Sequence, residues 1–194
     1  PCPFTQQQIN AFEVVKKTVK KFCSTLPKFH LLNSSGIFNY PEHQLDAIRV
    51  GIALYGLANQ SEWDLELQPI AKLSAPICQI HTLKKGENVG YNQGWEATKD
   101  SRIGIIPIGH ADGIGRQYGN GVGKVQILGQ TAPIIGNVCM DMLMIDLGSI
   151  DCAVGTEVIL FDKNTTAADF AANGNTISYE MLTGLNSRIQ RVYQ

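Results

Sequence analysis

Ile48-Arg49-Val50-Gly51-Ile52-Ala53-Leu54-Tyr55-Gly56 sets one permanent cation between an apolar residue at Ile48 and a second apolar run, Gly51 to Tyr55. A guanidinium stays protonated at any working pH, so an arginine between two apolar elements needs a partner to offset its burial. Upstream, Pro41 opens a predicted short helix through about Ile48, because a proline in a first turn forgoes no hydrogen bond. Phe29-His30-Leu31-Leu32 is a short apolar run broken by Asn33-Ser34-Ser35-Gly36, the pattern of a buried strand followed by a loop. Further back, Thr5 and Gln8 have capping-box spacing, Phe4 can staple against Ile9, and Ile9, Phe12, Val15, Val19 and Phe22 form one face of an amphipathic helix ending before Pro27. Helix, strand, helix, strand is the rhythm of an α/β fold with parallel strands. Roughly sixty residues cannot close an eight-stranded barrel, which takes about 200 or more. Residues 1–62 therefore read as the last units of a TIM-like (β/α) barrel.

After about Trp63 the texture changes. Alternating or β-branched runs at Ser101 to Ile108, Val125 to Leu128, Ile134-Ile135, Met142 to Leu147 and Glu157 to Phe161 are separated by glycine turns. Short strands at such spacing predict an antiparallel β-barrel or sandwich over 63–194, closed by short helices near Thr166-Phe170 and Tyr179-Thr183. The fold class expected is α/β plus all-β.

With 194 residues, 44% of them hydrophobic and 17% charged, and a formal net charge of -1, the composition is that of a globular protein. The lysine pairs at 16–17, 20–21 and 84–85 are short and interleaved with apolar residues, so neither nucleic acid nor an anionic membrane is an expected partner. Five cysteines with no CxxC pair suggest neither a disulfide framework nor a zinc site, and a reducing cytoplasm is the expected location. No basic segment leads into an apolar signal core, and no apolar run approaches the ~20 residues of a membrane span. The first residue is proline, which fits a segment of a longer polypeptide.

Several residues invite chemistry. Asn33-Ser34 follows a predicted strand, at the end where α/β barrels assemble active sites, although Asn, Ser and Gly also favour plain turns. Arg49 fits a site or a barrel-rim salt bridge. Tyr91, in Asn88-Val89-Gly90-Tyr91-Asn92, fits a site or a tyrosine packed at a strand end. His110-Ala111-Asp112 has the look of a metal pair but no second histidine or cysteine pair nearby. Cys139 beside Asp141 lacks a histidine, and the acid would raise its thiol pKa, which disfavours a nucleophile. Gly113 to Gly119 lacks the strand and helix that a phosphate cradle requires and reads as a flexible turn.

In their order and spacing, His30-Leu31-Leu32-Asn33-Ser34, Arg49 to Ile52, Tyr91, Cys139-Met140-Asp141 and Ile177-Ser178-Tyr179-Glu180 resemble the C-terminal half of an alanine racemase, from about His30 to Tyr193. The resemblance implies a pyridoxal 5'-phosphate enzyme that interconverts L- and D-alanine for peptidoglycan synthesis, in a homodimer. It implies that Ser34 and Tyr179 reach the cofactor phosphate, with the backbone at Gly51 and Ile52, and that Arg49 faces the pyridine nitrogen. Tyr91 is implied as the base on one face of the α-carbon, with a lysine on the other; that lysine motif lies upstream of everything present here. Two faces require two bases, and a phenol of reference pKa ~10 needs help to act near neutrality. Met140 and Asp141 are implied to border the substrate carboxylate, acting with Tyr91 across the dimer.

Three departures from the family pattern stand out. Leu32 replaces an alanine. Asn92 replaces a usual glycine, which would alter the local backbone. His110 stands where a tyrosine normally shapes the substrate entrance, which would change its size and pH response. Some members of the family are fused behind a Mur-type ligase, which is compatible with a segment starting as this one does. By itself, without the lysine, the chain is expected to be inactive. Two rivals are a non-catalytic β module and a barrel-type amino-acid decarboxylase; Arg49 disfavours the latter, because decarboxylation profits from a protonated ring nitrogen.

Overall fold

Helix α1, Pro3–Phe22, begins earlier than the sequence spacing suggested. Proline occupies its first turn and Cys2 is the N-cap, with the Gln6 N–H donating to the Cys2 carbonyl at 3.1 Å. A proline at the first helical position is preset for the helix and costs no bond. Thr5 and Gln8 therefore lie inside the helix, and Phe4 is exposed rather than stapled to Ile9. Of the expected apolar face Ile9 is buried, Phe12 and Val19 are half-buried, and Val15 and Phe22 are exposed. Phe12 meets Phe29 edge to face at 6.4 Å.

The computed structural model describes residues 2–58, 63 and 66–193. Its chain forms two compact units, Pro1–Pro69 and Ile70–Gln194. The division expected at 62/63 falls at a stretch that lies largely outside the described residues.

Two strands expected in the first unit are absent there. Phe29 to Leu32 makes one isolated parallel bridge, His30 with Ala47, flanked by hydrogen bonds from Asp46 N to Phe29 O and from Arg49 N to Leu32 O. Gly51 to Tyr55 is a 3-10 helix, Ile52–Tyr55, ended by Gly56 in the left-handed conformation. The helix opened by Pro41 is a single 3-10 turn, Pro41–His43. In place of the expected loop after Leu32 stands helix α2, Ser34–Asn39. The cause is local: the Asn33 side chain accepts from the Gly36 N–H at 3.0 Å and caps the turn. The barrel character expected of this unit is not visible in these elements.

The second unit follows its pattern more closely. Strands β1 (Leu73–Pro76), β2 (Gln79–Leu83), β5 (Ser101–Ile106), β6 (Lys124–Ile127), β7 (Gln130–Ile135), β8 (Leu143–Asp146) and β9 (Glu157–Phe161) form an antiparallel seven-stranded sheet in the order β1-β9-β6-β7-β8-β5-β2. Strands β3 (Asn88–Val89) and β4 (Trp95–Glu96) make a separate two-stranded ribbon. Apolar strand residues, several of them β-branched, build the larger sheet: Ile103, Leu143, Met144, Ile145, Val158 and Leu160 are buried. The terminal strands of that order, β1 and β2, are consecutive in the chain. Ile77 N donates to Thr156 O beside β9, and Cys78 N donates to Ile105 O on β5, so the sheet curls until its two ends are carried by one continuous segment.

Helices α3 (Ala167–Asn173) and α4 (Ser178–Gly184) follow β9. Thr166 and Asp169 cap α3 reciprocally: the Asp169 N–H donates to Thr166 Oγ1 and the Thr166 N–H to Asp169 Oδ2. Phe170 on α3 stacks on Tyr118 with ring centroids 4.6 Å apart. Among the described residues no helix is long and apolar enough to cross a membrane. All five cysteines are free thiols.

Candidate active site

In the first unit, the backbone around Gly51 and Ile52 converges on one serine, while Arg49 stands apart from it. Ser34 is buried, and its Oγ accepts from Gly51 N at 2.9 Å and from Ala53 N at 3.4 Å. This hydroxyl ties the start of α2 to the start of the 3-10 helix. Ile52, between the two donors, is buried and anchors that helix. The oxygen accepts both bonds, so its own proton is left to donate outward. Arg49 is exposed, and its Nη2 donates to the Leu31 carbonyl at 2.9 Å. It lines a 760 Å³ cavity with Asn33, Ser35, Gly36 and Tyr40, whereas Ser34, Gly51 and Ile52 lie outside that lining.

In the second unit, Tyr91 opens a 3-10 turn, Tyr91–Gln93, and is 72% exposed. Its carbonyl accepts from Asn137 Nδ2 at 3.0 Å. Asn92, the departure from the glycine pattern, adopts φ 58°, ψ 29°. This is the left-handed conformation that glycine enters freely and that asparagine tolerates better than most residues. The replacement thus keeps the backbone conformation a glycine would take.

His110, Met140 and Asp141 are brought together by main-chain bonds. His110 N donates to Cys139 O at 3.0 Å, and Ala111 N to Met140 O at 2.8 Å. Contact is so close that a Cβ on Gly109 would lie 2.4 Å from the Cys139 carbonyl oxygen, so only glycine fits there. The His110, Met140 and Asp141 side chains are exposed. Cys139 packs partly buried on the cluster of Ile103, Ile135 and Met144. Burial, then the Asp141 carboxylate, pushes its thiol pKa up against a smaller opposing influence of Arg116, which removes nucleophilic character. Tyr179 lies on α4, partly exposed.

Three residues that the sequence reading left unassigned matter here. Asp112 is 1% exposed and Arg188 grips its carboxylate with two bonds of 2.7 and 2.6 Å. That guanidinium holds the Asp112 carboxyl below the usual carboxylate range, against the effect of burial. With its acceptors occupied, Asp112 is not the half of a metal pair that its neighbour His110 suggested. Among the described residues no group of three or more His, Cys, Asp or Glu is placed to hold a metal ion. Asn137, which orients the Tyr91 backbone, is the third. A buried acid in an Asp-Gly turn was a usable signal for Asp112; nothing local marked Arg188 or Asn137.

Two family profiles match along the chain: "Alanine racemase, N-terminal domain" over residues 1–59 and "Alanine racemase, C-terminal domain" over residues 70–193. The chain belongs to the alanine racemase family. An alanine racemase of Treponema denticola is 34% identical over 200 residues, covering 98% of this chain and 52% of the relative. The crystal structure of the alanine racemase from D-cycloserine-producing Streptomyces lavendulae superposes with a TM-score of 0.91 at 29% identity, covering 100% of this chain and 52% of that one. The alanine racemase of Bartonella henselae, solved with covalently bound pyridoxal phosphate, gives 0.85 at 29% identity, over 100% and 53%. This chain thus spans about half the length of the alanine racemases it matches.

Proposed function

We propose that the complete protein containing this chain is a pyridoxal 5'-phosphate-dependent alanine racemase. In this reading residues 1–62 are the end of an α/β barrel and 63–194 the β domain. The observation carrying the proposal is that both domains of one family follow each other, in order, along this chain.

The residues present fit the cofactor's phosphate. A buried serine hydroxyl, whose oxygen already collects the Gly51 and Ala53 N–H groups, keeps its own proton to donate beside the first turn of a 3-10 helix, and no carboxylate belongs to the set. The cofactor, when bound, supplies a ring that spreads the negative charge developing at the α-carbon. Ser34, the backbone at Ile52 and Tyr179 would hold its phosphate, while the Gly51 N–H, which donates to Ser34 Oγ, would fix that hydroxyl in place. Arg49 would face the ring nitrogen, and a guanidinium that never gives up its proton would keep that nitrogen unprotonated, which limits side reactions. The Leu31 carbonyl holds one arm of the guanidinium in place.

Tyr91 Oη removes or returns the proton on one face of the substrate α-carbon, and a lysine elsewhere in the complete protein serves the other. Met140 and Asp141 border the substrate carboxylate, and His110 narrows the entrance. In a homodimer, Tyr91, Met140 and Asp141 of one subunit would act in trans to Ser34, Arg49 and Tyr179 of the other. The product, D-alanine, feeds peptidoglycan synthesis in the cytoplasm.

The test uses the complete purified protein with pyridoxal phosphate and follows loss of optical rotation from L-alanine. Racemisation is the expected result. In the Tyr91→Phe variant, α-deuterium exchange from one alanine enantiomer should slow far more than from the other. Equal slowing of both would remove Tyr91 from its assigned face, and absence of D-alanine from the unaltered protein would overturn the racemase reading.

A further inference from the structure

Asp112 sits at the junction of two sets of bonds. On one side its carboxylate takes Arg188 Nε on Oδ1 at 2.7 Å, and on Oδ2 it takes Arg188 Nη2 at 2.6 Å and Gly109 N at 2.9 Å. Its carbonyl accepts Asn186 N at 3.2 Å, and the Asn186 side chain in turn accepts Arg188 N at 2.9 Å. On the other side, the two residues between Gly109 and Asp112 spend their N–H groups on Cys139 and Met140. Gly113, at φ 102°, lies so close to Gly184 that a Cβ would fall 2.4 Å from its carbonyl oxygen, so the turn cannot shift on that side. The loop Gly109–Asp112 is a rigid spacer with the ion pair behind it and the loop Cys139–Asp141 in front.

We infer that the Asp112–Arg188 pair is a positioning element for the substrate, setting Met140 and Asp141 in place through the peptide groups of His110 and Ala111. The inference rests on the proposed role of Met140 and Asp141 beside the substrate carboxylate. Neither Asp112 nor Arg188 touches substrate in this scheme. A lysine at 188 would keep the charge and lose the two-pronged grip, since an ammonium cannot span both carboxylate oxygens as a planar guanidinium does. The loop in front would then wander while the sheet behind it stays whole.

The experiment compares the complete protein with its Arg188→Lys, Asp112→Asn and Arg188→Ala variants by amide hydrogen exchange, thermal melting and steady-state kinetics with L-alanine. Exchange should rise at His110, Ala111 and Cys139 and stay unchanged in β5 to β8. The KM for alanine should rise about tenfold, the scale of one lost hydrogen bond to a charged group, with a smaller change in kcat. Added ethylguanidinium should restore KM in Arg188→Ala, because the arginine side chain is more than half exposed and its place is open to solvent. If exchange instead rises across the whole sheet, Tm falls and KM stays fixed, the pair is a structural anchor only and the inference is overturned. Should the unaltered protein turn over no alanine, the racemase reading fails by itself, and the exchange pattern alone decides whether the pair positions the loop. Arg188→Lys keeps the experiment decisive where Asp112→Asn fails to fold.

Discussion

A phenol hydroxyl buried without a partner is a burden on a core, and Tyr118 carries one. The residue is fully buried, its ring stacks on Phe170, and among the described residues its hydroxyl has no hydrogen-bond partner. Burial, with a contribution from Glu180, pushes its pKa up to about 12. An unfolded tyrosine ionises near ~10. The folded chain therefore holds the proton where the unfolded chain releases it, and stability is intact below about pH 10 and falls as pH rises toward 12. Tyr118→Phe keeps the stacked ring and removes the unpaired oxygen. We expect it to raise stability by up to about 1 kcal/mol at neutral pH and to flatten the alkaline loss, both read from urea melts across pH. A drop in neutral stability would mean the hydroxyl has a partner after all. At this scale sequence was a partial guide. The acidic neighbour of Cys139 gave the direction of its thiol shift, yet burial contributes most to that shift, and it comes from packing on a cluster whose Ile103 belongs to a strand remote in sequence.

Among elements, the short apolar runs misled and the alternating ones did not. Phe29 to Leu32 and Gly51 to Tyr55 have the composition of buried strands, but a run of four or five apolar residues carries no period of its own. What decided their conformation was polar side chains elsewhere: Asn33 capping α2 and Ser34 collecting the N–H groups of Gly51 and Ala53. Asn33→Ala should accordingly cost about 1 kcal/mol, the usual value of a side-chain cap, measurable as a lower urea midpoint. It should also lower pyridoxal phosphate affinity in the complete protein, because the cap holds Ser34 at its place in the turn. An unchanged affinity would separate the helix start from the proposed phosphate site. In the second unit the strands β5 to β9 were legible because each carries buried apolar residues, β-branched ones among them, between glycine turns. Strands β1 and β2 were not, and both sit at the ends of the sheet order, where one hydrogen-bonding side is unshared. Their sequences show little alternation: β1 ends in Pro76, which has no N–H to give, and β2 exposes Gln79, His81 and Thr82.

Across the whole chain, the sequence reading set a boundary near Trp63, and the structure has two compact units, Pro1–Pro69 and Ile70–Gln194. What the sequence could not display was the pairing of distant residues. Arg188 meets Asp112 across 76 positions, and no periodicity or spacing rule reports a partner so remote. The pairing has an acid signature. Asp112 has a depressed pKa, so its contribution to stability is present above the unfolded carboxyl value of ~3.9 and is lost as pH falls through the lower folded value. The Asp112→Asn variant should lack this acid limb, a difference that urea melts at acid pH would show.

The curled sheet also behaves as a loop of string tied at Ile77-Cys78. In an open sheet a misplaced residue can be passed outward, strand by strand, until it leaves at a free margin. Here both margins are one covalent thread, so a frame error at the knot has nowhere to go. A single alanine inserted between Ile77 and Cys78 would turn either β1 or β2 over and should abolish cooperative melting.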